Sequence, residues 1–431
     1  MTAFTSSPAF TDSLPRWLDR SRTWGIEHGG FRSNHLTHNW IVLSAAGCDD
    51  ERMQWWQDLY LGRLAIDHAR NIDHHPEPAQ PVGPDAPQLS DAVWRDHVTN
   101  APEAYPTFLE FFDERITELG VDGALRRYLP PLLPGIAGAA LHPVIQTGWG
   151  VEAGHAGMIS EGLAYMAVAF QPLTEQSISG PLWAPDGIGP IEASLRFLAE
   201  ADRMELPRLT VEASLTPAYR ALGRGAFQHR MGAFQDPALA VGATLDAAGP
   251  LGLPDLDESL DDVIDELAAL MAAAYLGSSC EFFVIHGVTS LHGVLLLLDY
   301  LTPEQQRDAI AHWWRAAMAT VVVQALPGLA KTAELLSTWS ASETGTPTKF
   351  THDEDWWIDA LHRSLVSRDE HVPKGVFCLY RWTKLAAVTA RSLSLFREAA
   401  EHQLRPNSSH ELHANTWMAL DPNGRPNQMP T

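Results

Sequence analysis

Cysteine is scarce in this chain. Its 431 residues hold three, Cys48, Cys280 and Cys378. They are odd in number and far apart, which excludes a disulfide framework and suits a reducing compartment. Positive charge is the minority sign: 30 Lys and Arg stand against 53 Asp and Glu, a net charge of −23. That balance repels phosphate backbones, and no basic cluster with interleaved aromatics is present, so nucleic acid is excluded as a partner. Long apolar runs are missing too. Val294–Leu298 and Ala319–Val323 are the greasiest stretches, far below the roughly 20 residues a membrane span needs. Met1 to Trp17 has neither a basic n-region nor an apolar h-region, so no secretory signal and a cytoplasmic location are expected.

Cofactor fingerprints are equally sparse. Gly223-Arg224-Gly225 lacks both the third glycine and the preceding strand of a dinucleotide fold, so no bound flavin is expected. P-loop, H-E-x-x-H and C-x-x-C patterns are absent. His410-Glu411-Leu412-His413 is one residue short of the zincin spacing and lies in a polar tail.

What the chain does have is a 45% hydrophobic composition, enough for a large buried core, and helical periodicity. Helices are expected over Glu51–Ile66, Thr107–Leu119, Pro190–Ala201, Leu260–Leu276, Asp355–Val366 and Lys384–His402, with a buried helix pair within Ala140–Ala169. Thr302-Pro303-Glu304-Gln305 is a capping start for a helix to about Gln324. Strand patterning is confined to hints such as Arg208–Val211. The expectation is an all-α fold: one large multi-helix unit over residues 1–404, with two helical sub-bundles meeting near residue 245 as one arrangement of it. An irregular polar tail over 405–431 follows.

Two sets of residues invite chemistry. Asp261-Asp262-Val263-Ile264-Asp265 matches the magnesium-binding string of class I terpene cyclases, but it also opens an amphipathic helix, where acids complement the macrodipole. The 19 histidines are the stronger signal. His68, His74 and His75 flank a Pro-rich loop and read as solvated. His35, His142, His286 and His371 stand in apolar or helix-start surroundings. His292 follows His286 by six positions, about 120° round a helix, so the two do not face one point. From spacing alone these rings are either core histidines bonded to carbonyls or converging metal ligands.

Four segments then carry a resemblance: Phe31-Arg32-Ser33-Asn34-His35-Leu36, His142-Pro143-Val144-Ile145 through Gly148-Trp149-Gly150-Val151-Glu152, Phe283-Val284-Ile285-His286-Gly287-Val288-Thr289-Ser290, and Asp369-Glu370-His371-Val372-Pro373-Lys374. In this order they resemble the questin oxidase-like family, fungal and bacterial proteins of aromatic polyketide pathways. The chain departs from the family's pattern at Thr37, where proline is usual, at Gln146, where a second histidine is common, and at Pro373.

The resemblance implies an oxygenase that opens a ring of a hydroxyanthraquinone or related aromatic polyketide beside a quinone carbonyl. It implies a non-haem ferrous iron held by His35, His142, His286 and His371, with dioxygen as co-substrate and Lys374, carboxylated to a carbamate, as the anionic ligand. Burial depresses a lysine pKa and frees the amine for carbon dioxide. With Pro373 in a first helical turn, His371 and Lys374 share one face. Trp149, Phe282, Phe283 and Trp382 are the candidates to stack on a flat substrate. Other members are described as NADPH-dependent Baeyer–Villiger-type oxidases, so a metal-free reaction with NADPH as external reductant is the alternative. Rivals of other classes are a terpene cyclase using Asp261, Asp262 and Asp265, and a non-catalytic helical binding protein.

Overall fold

The computed structural model describes residues 3–28, 32–69, 76–83, 86–99, 101–173, 181–216, 226–236, 241, 244–245, 248–342, 353–367 and 369–405, with backbone alone at 62–69, 76–78, 226 and 235. Phe31, His74, His75, Gly223-Arg224-Gly225, His410-Glu411-Leu412-His413 and the tail from 406 onward lie outside the described residues, as does the side chain of His68.

The fold is all-α. In chain order the helices begin with α1 (Leu14–Ser21), α2 (Leu36–Ala45), α3 (Asp50–Ala69) and α4 (Tyr105–Tyr128). The buried pair α5 (His142–Glu152) and α6 (Ala156–Val168) follows, then α7 (Pro190–Arg203), α8 (Leu206–Ser214) and α9 (Ala226–Gly232). The second half supplies α10 (Asp261–Gly277), α11 (Val284–Leu297), α12 (Pro303–Val323) and α13 (Leu329–Ala341). Last come α14 (Glu354–Ser364), α15 (His371–Trp382) and α16 (Ala390–Gln403). Strand is confined, among the described residues, to two small sheets. β1 (Trp24–His28) pairs antiparallel with β2 (Arg32–Ser33) and β3 (Pro76–Pro78), and β4 (Trp183–Ala184) pairs in parallel with β5 (Leu251–Gly252). No helix among the described residues is long and apolar enough to cross a membrane.

Local chemistry explains most boundaries. Thr302 caps α12 in a complete capping box with Gln305, which satisfies two orphan backbone donors reciprocally. The helix expected from Lys384 starts instead at Ala390. Residues before it are held by the N-terminal segment, where Thr5 N–H donates to Lys384 O and Ala386 N–H to Ala3 O, and Thr389 then caps α16 through Ser392 N–H. The strand hint at Arg208–Val211 is overturned, since those residues lie in α8. Buried Leu206, Thr210, Ala213 and Ser214 keep helical spacing there, and Arg208 pairs with both Glu205 and Glu212. Helix α4 runs past Leu119 to Tyr128 because Gly120, at φ 71°, kinks it without ending it.

Two features bring the site's helices together. Helix α2 is buried on every side from Leu36 to Ser44, as expected of a helix without a polar face. Helices α5 and α11 cross where a Cβ on Gly148 would lie 2.3 Å from Gly293 O, so only glycine lets the two backbones approach this closely.

Candidate metal centre

Each candidate ligand is fixed by its own backbone. His35 stands immediately before α2; its N–H donates to Tyr60 Oη at 3.1 Å, and its carbonyl accepts from Asn39 Nδ2 at 3.1 Å. His142 opens α5 after Ala139, Ala140 and Leu141, whose φ values of 45°, 54° and 67° are left-handed. For residues with a Cβ that conformation costs about 1–2 kcal/mol each. The strained turn aims the Ala139 carbonyl at His142, whose Nδ1–H donates to it at 2.6 Å. His286, in the first turn of α11, donates Nδ1–H to Phe283 O at 3.2 Å. His371 opens α15 and donates Nδ1–H to Asp369 Oδ1 at 2.8 Å, while the same oxygen accepts its backbone N–H at 2.9 Å. A histidine whose Nδ1 is tied to a carbonyl or carboxylate presents Nε2, the arrangement that orients metal ligands.

The four rings form a closed circuit. Centroids are 4.9 Å apart for His35 and His142, 4.7 Å for His142 and His286, 5.5 Å for His286 and His371, and 4.9 Å for His371 and His35. With metal–nitrogen bonds of about 2.1 Å, two imidazoles at right angles round one ion have centroids roughly 4.5 Å apart. The ring spacings are of the order expected round one ion, and the ligand atoms that lie within 4.8 Å of one another are those of His35, Glu370 and His371. Burial, then the charge of Lys374 beside them, pushes His35, His142 and His371 below the ordinary histidine range, His142 to about 3. His286 is pushed well down by burial first and by His142 next. These are neutral imidazoles, the form that binds metal. The buried Nε2 of His142 has no hydrogen-bond partner among the described residues, as a ligand atom without its ion would.

Lys374 stands one turn along α15 from His371, is 3% exposed, and puts Nζ against His35 Nδ1. Pro373 sits in the first turn of the helix, where a missing N–H costs nothing. His292 lies elsewhere: its Nε2 is 2.7 Å from Glu152, which also holds Arg381 Nε at 3.0 Å.

The aromatic candidates divide. Phe282 packs edge-on to His371 at 4.4 Å, and Phe283 stacks on His286 at 5.6 Å and on Phe227 at 4.7 Å. Trp149 is buried between His38 and His292. Trp382, eleven residues beyond His371 and so about 16 Å along the helix, packs on Phe396.

Sequence reasoning passed over three neighbours. Ligand atoms of Glu370, His35 and His371 lie within 4.8 Å of one another, which places a carboxylate beside two of the rings. Asp369 orients His371. His38, 1% exposed, lies 6.1 Å from His35 by ring centroids; the His35-x-x-His38 spacing on one helix face would have found it. Beneath the rings a buried polar chain runs outward. Thr37 Oγ1 donates to Gln146 Oε1 at 3.4 Å, and Gln146 Nε2 to Glu161 Oε2 at 2.9 Å. Glu161 Oε1 then lies 3.6 Å from Arg22 Nε, and Arg22 binds Asp113 at 2.7 Å. Gln146 thus turns its amide to Glu161.

The Asp261-Asp262-Val263-Ile264-Asp265 string serves helix ends. Asp261 and Asp262 occupy the first turn of α10, while Asp265 is buried and accepts from Thr389 N at 3.2 Å and Thr389 Oγ1 at 2.8 Å.

The sequence profile described as questin oxidase-like matches residues 32–379, most of the chain and all four histidines of the circuit. A search of curated proteins finds no match.

Proposed function

The chain belongs to the questin oxidase-like family, and from that premise we propose that it is an oxygenase opening a ring of a hydroxyanthraquinone or related aromatic polyketide beside a quinone carbonyl. The reaction uses dioxygen at one non-haem ferrous iron. One observation carries the metal: the closed circuit of four buried, neutral imidazoles, each oriented by its own backbone or by a neighbouring side chain. His35, His142, His286 and His371 would hold the ion, which supplies dioxygen activation when bound.

Four neutral ligands leave a dication's charge uncompensated in a dry site, so an anionic donor is needed. Lys374 provides it as a carbamate: the neutral Nζ attacks carbon dioxide, an N–C bond forms, and one proton leaves to water. The chief support is placement, since a cationic ammonium packed against His35 would repel the ion. A second reading gives the anionic role to Glu370, whose carboxylate lies within 4.8 Å of ligand atoms of His35 and His371. Iron binding by Lys374→Ala and Glu370→Gln separates the two readings.

Phe282 and Phe283, beside His371 and His286, offer apolar edges and faces to a flat substrate. Their packing keeps water from the metal face, and the substrate's ring is held against it. Trp149 and Trp382 act from the core.

The test is turnover. Protein loaded with ferrous iron under nitrogen is mixed with a hydroxyanthraquinone in aerated buffer, and quinone absorbance and oxygen uptake are followed. The reading expects oxygen-dependent loss of the quinone, abolished by chelation and restored by ferrous iron. Equal turnover by metal-free protein with NADPH would replace it with the Baeyer–Villiger alternative.

A further inference from the structure

His38 is the residue of the cluster that the four-ring circuit does not use. It lies on α2 one turn beyond His35, and α2 is buried on every side around it. Its ring meets His35 edge-on at 6.1 Å and Trp149 edge-on at 5.3 Å. Neither of its nitrogens has a hydrogen-bond partner among the described residues. Trp149 cannot serve it, because Trp149 Nε1 donates to Thr289 O at 3.4 Å.

A buried imidazole with both nitrogens unsatisfied is costly, and native interiors avoid it. The ring is held in one place by Trp149 and α2, so a partner must come to it. Lys374 puts Nζ against His35 Nδ1, and the His35 ring meets His38 edge-on at 6.1 Å, so Lys374 belongs to the same buried cluster as His38. A neutral His38 ring has one N–H to donate. A plain lysine ammonium offers only donors and leaves that N–H unmet. A carbamate on the same nitrogen offers two oxygens, one for the ion and one to spare.

We propose that His38 is a positioning residue for Lys374, donating a ring N–H to the carbamate oxygen that does not bind the metal. The inference rests on the carbamate reading of Lys374 and adds to it the group that fixes the modified side chain. The interaction stabilises the carboxylated lysine over the bare amine, so occupancy at a given bicarbonate concentration depends on His38.

The test reads the carbamate itself, apart from turnover. Metal-loaded protein is equilibrated with ¹³C-bicarbonate and the carbamate carbon is observed by NMR, with Lys374→Ala as control. His38→Phe fills the space without an N–H, and His38→Leu serves the same comparison if the larger ring disturbs the fold. His38→Gln keeps an N–H. The expected result is a Lys374-dependent signal in the parent. The Phe or Leu variant should need on the order of tenfold more bicarbonate for half-occupancy, the effect of one hydrogen bond to a charged group. Gln should recover much of the loss. Parent-like occupancy in the Phe or Leu variant overturns the proposal while leaving the carbamate intact, and so does equal loss in Gln and Phe, which marks a packing role. A parent without a Lys374-dependent signal overturns both readings together.

Discussion

Thr37 donates its hydroxyl to Gln146 Oε1 at 3.4 Å, a contact that joins α2 to α5 close to His35 and His142. Because Gln146 turns its amide to Glu161 at 2.9 Å, it belongs to the polar chain under the rings and not to the ligand set. Gln146→Leu should keep the parent's metal content. Its stability should fall by about 1–3 kcal/mol, because buried Glu161 and Thr37 lose a partner. Elemental analysis beside denaturant unfolding checks both halves, and metal lost at full stability would put Gln146 among the ligands.

Glu161 gives the protein an unusual pH dependence. Burial, opposed in part by Arg22, raises its carboxyl from 4.5 to about 7. Below pH 4.5 the group is protonated in both states and its contribution is fully present. Between 4.5 and 7 the unfolded chain ionises first, so stability falls as pH rises, by at most about 3 kcal/mol. Glu161→Gln cannot ionise. The difference in unfolding free energy between parent and variant should shift against the parent across that window and be flat above it. A difference that is flat from pH 4 to 8 would show a carboxyl of ordinary pKa.

The acids of α10 separate by burial. Asp261 is half-buried in the first turn of α10, and Asp261→Asn should change stability by no more than about 1 kcal/mol. Asp265 accepts two hydrogen bonds from Thr389 and ties α10 to the start of α16. Asp265→Asn should cost about 1–3 kcal/mol, with activity per folded molecule unchanged. Loss of activity in both variants at preserved fold would restore the magnesium reading.

Gly148 sets the distance between the helices that carry His142 and His286. Gly148→Ala forces a methyl into the Gly293 backbone, which cannot rotate away. The expected cost is about 1–3 kcal/mol, together with weaker metal retention as the two rings part. Gly287→Ala meets Met271 Cε, the end of a flexible side chain, and should be milder. Equal retention of metal by both variants would detach the helix crossing from the site.

How far the sequence reveals this centre depends on which signals are local. Helices with clear caps, such as the one after Thr302, are readable to within a residue because capping chemistry is short-range. The six-residue spacing separates His286 from His292, and the structure puts His286 in the circuit and His292 on Glu152. The left-handed run Ala139-Ala140-Leu141 is not readable, since no glycine or asparagine advertises it and tertiary contacts impose it. The boundary near Lys384 failed for the same reason, because the pairing that displaces it comes from Ala3 and Thr5. His38 and Glu370 were visible in the sequence by their spacing to His35 and His371. They lacked weight because burial and convergence are properties of the packed chain.

Elemental analysis of the purified chain decides whether the four rings hold a metal, with the parent set beside His35→Ala, His286→Ala, Lys374→Ala and Lys374→Arg. About one iron per parent chain is expected, or zinc in its place, since both suit imidazole donors. The ion should be lost in the histidine variants and in both lysine variants, because alanine has no amine and a guanidinium stays protonated and cannot take up carbon dioxide. A parent that carries a stoichiometric flavin by its absorbance, or that takes up no transition metal on reconstitution, would contradict the metal reading.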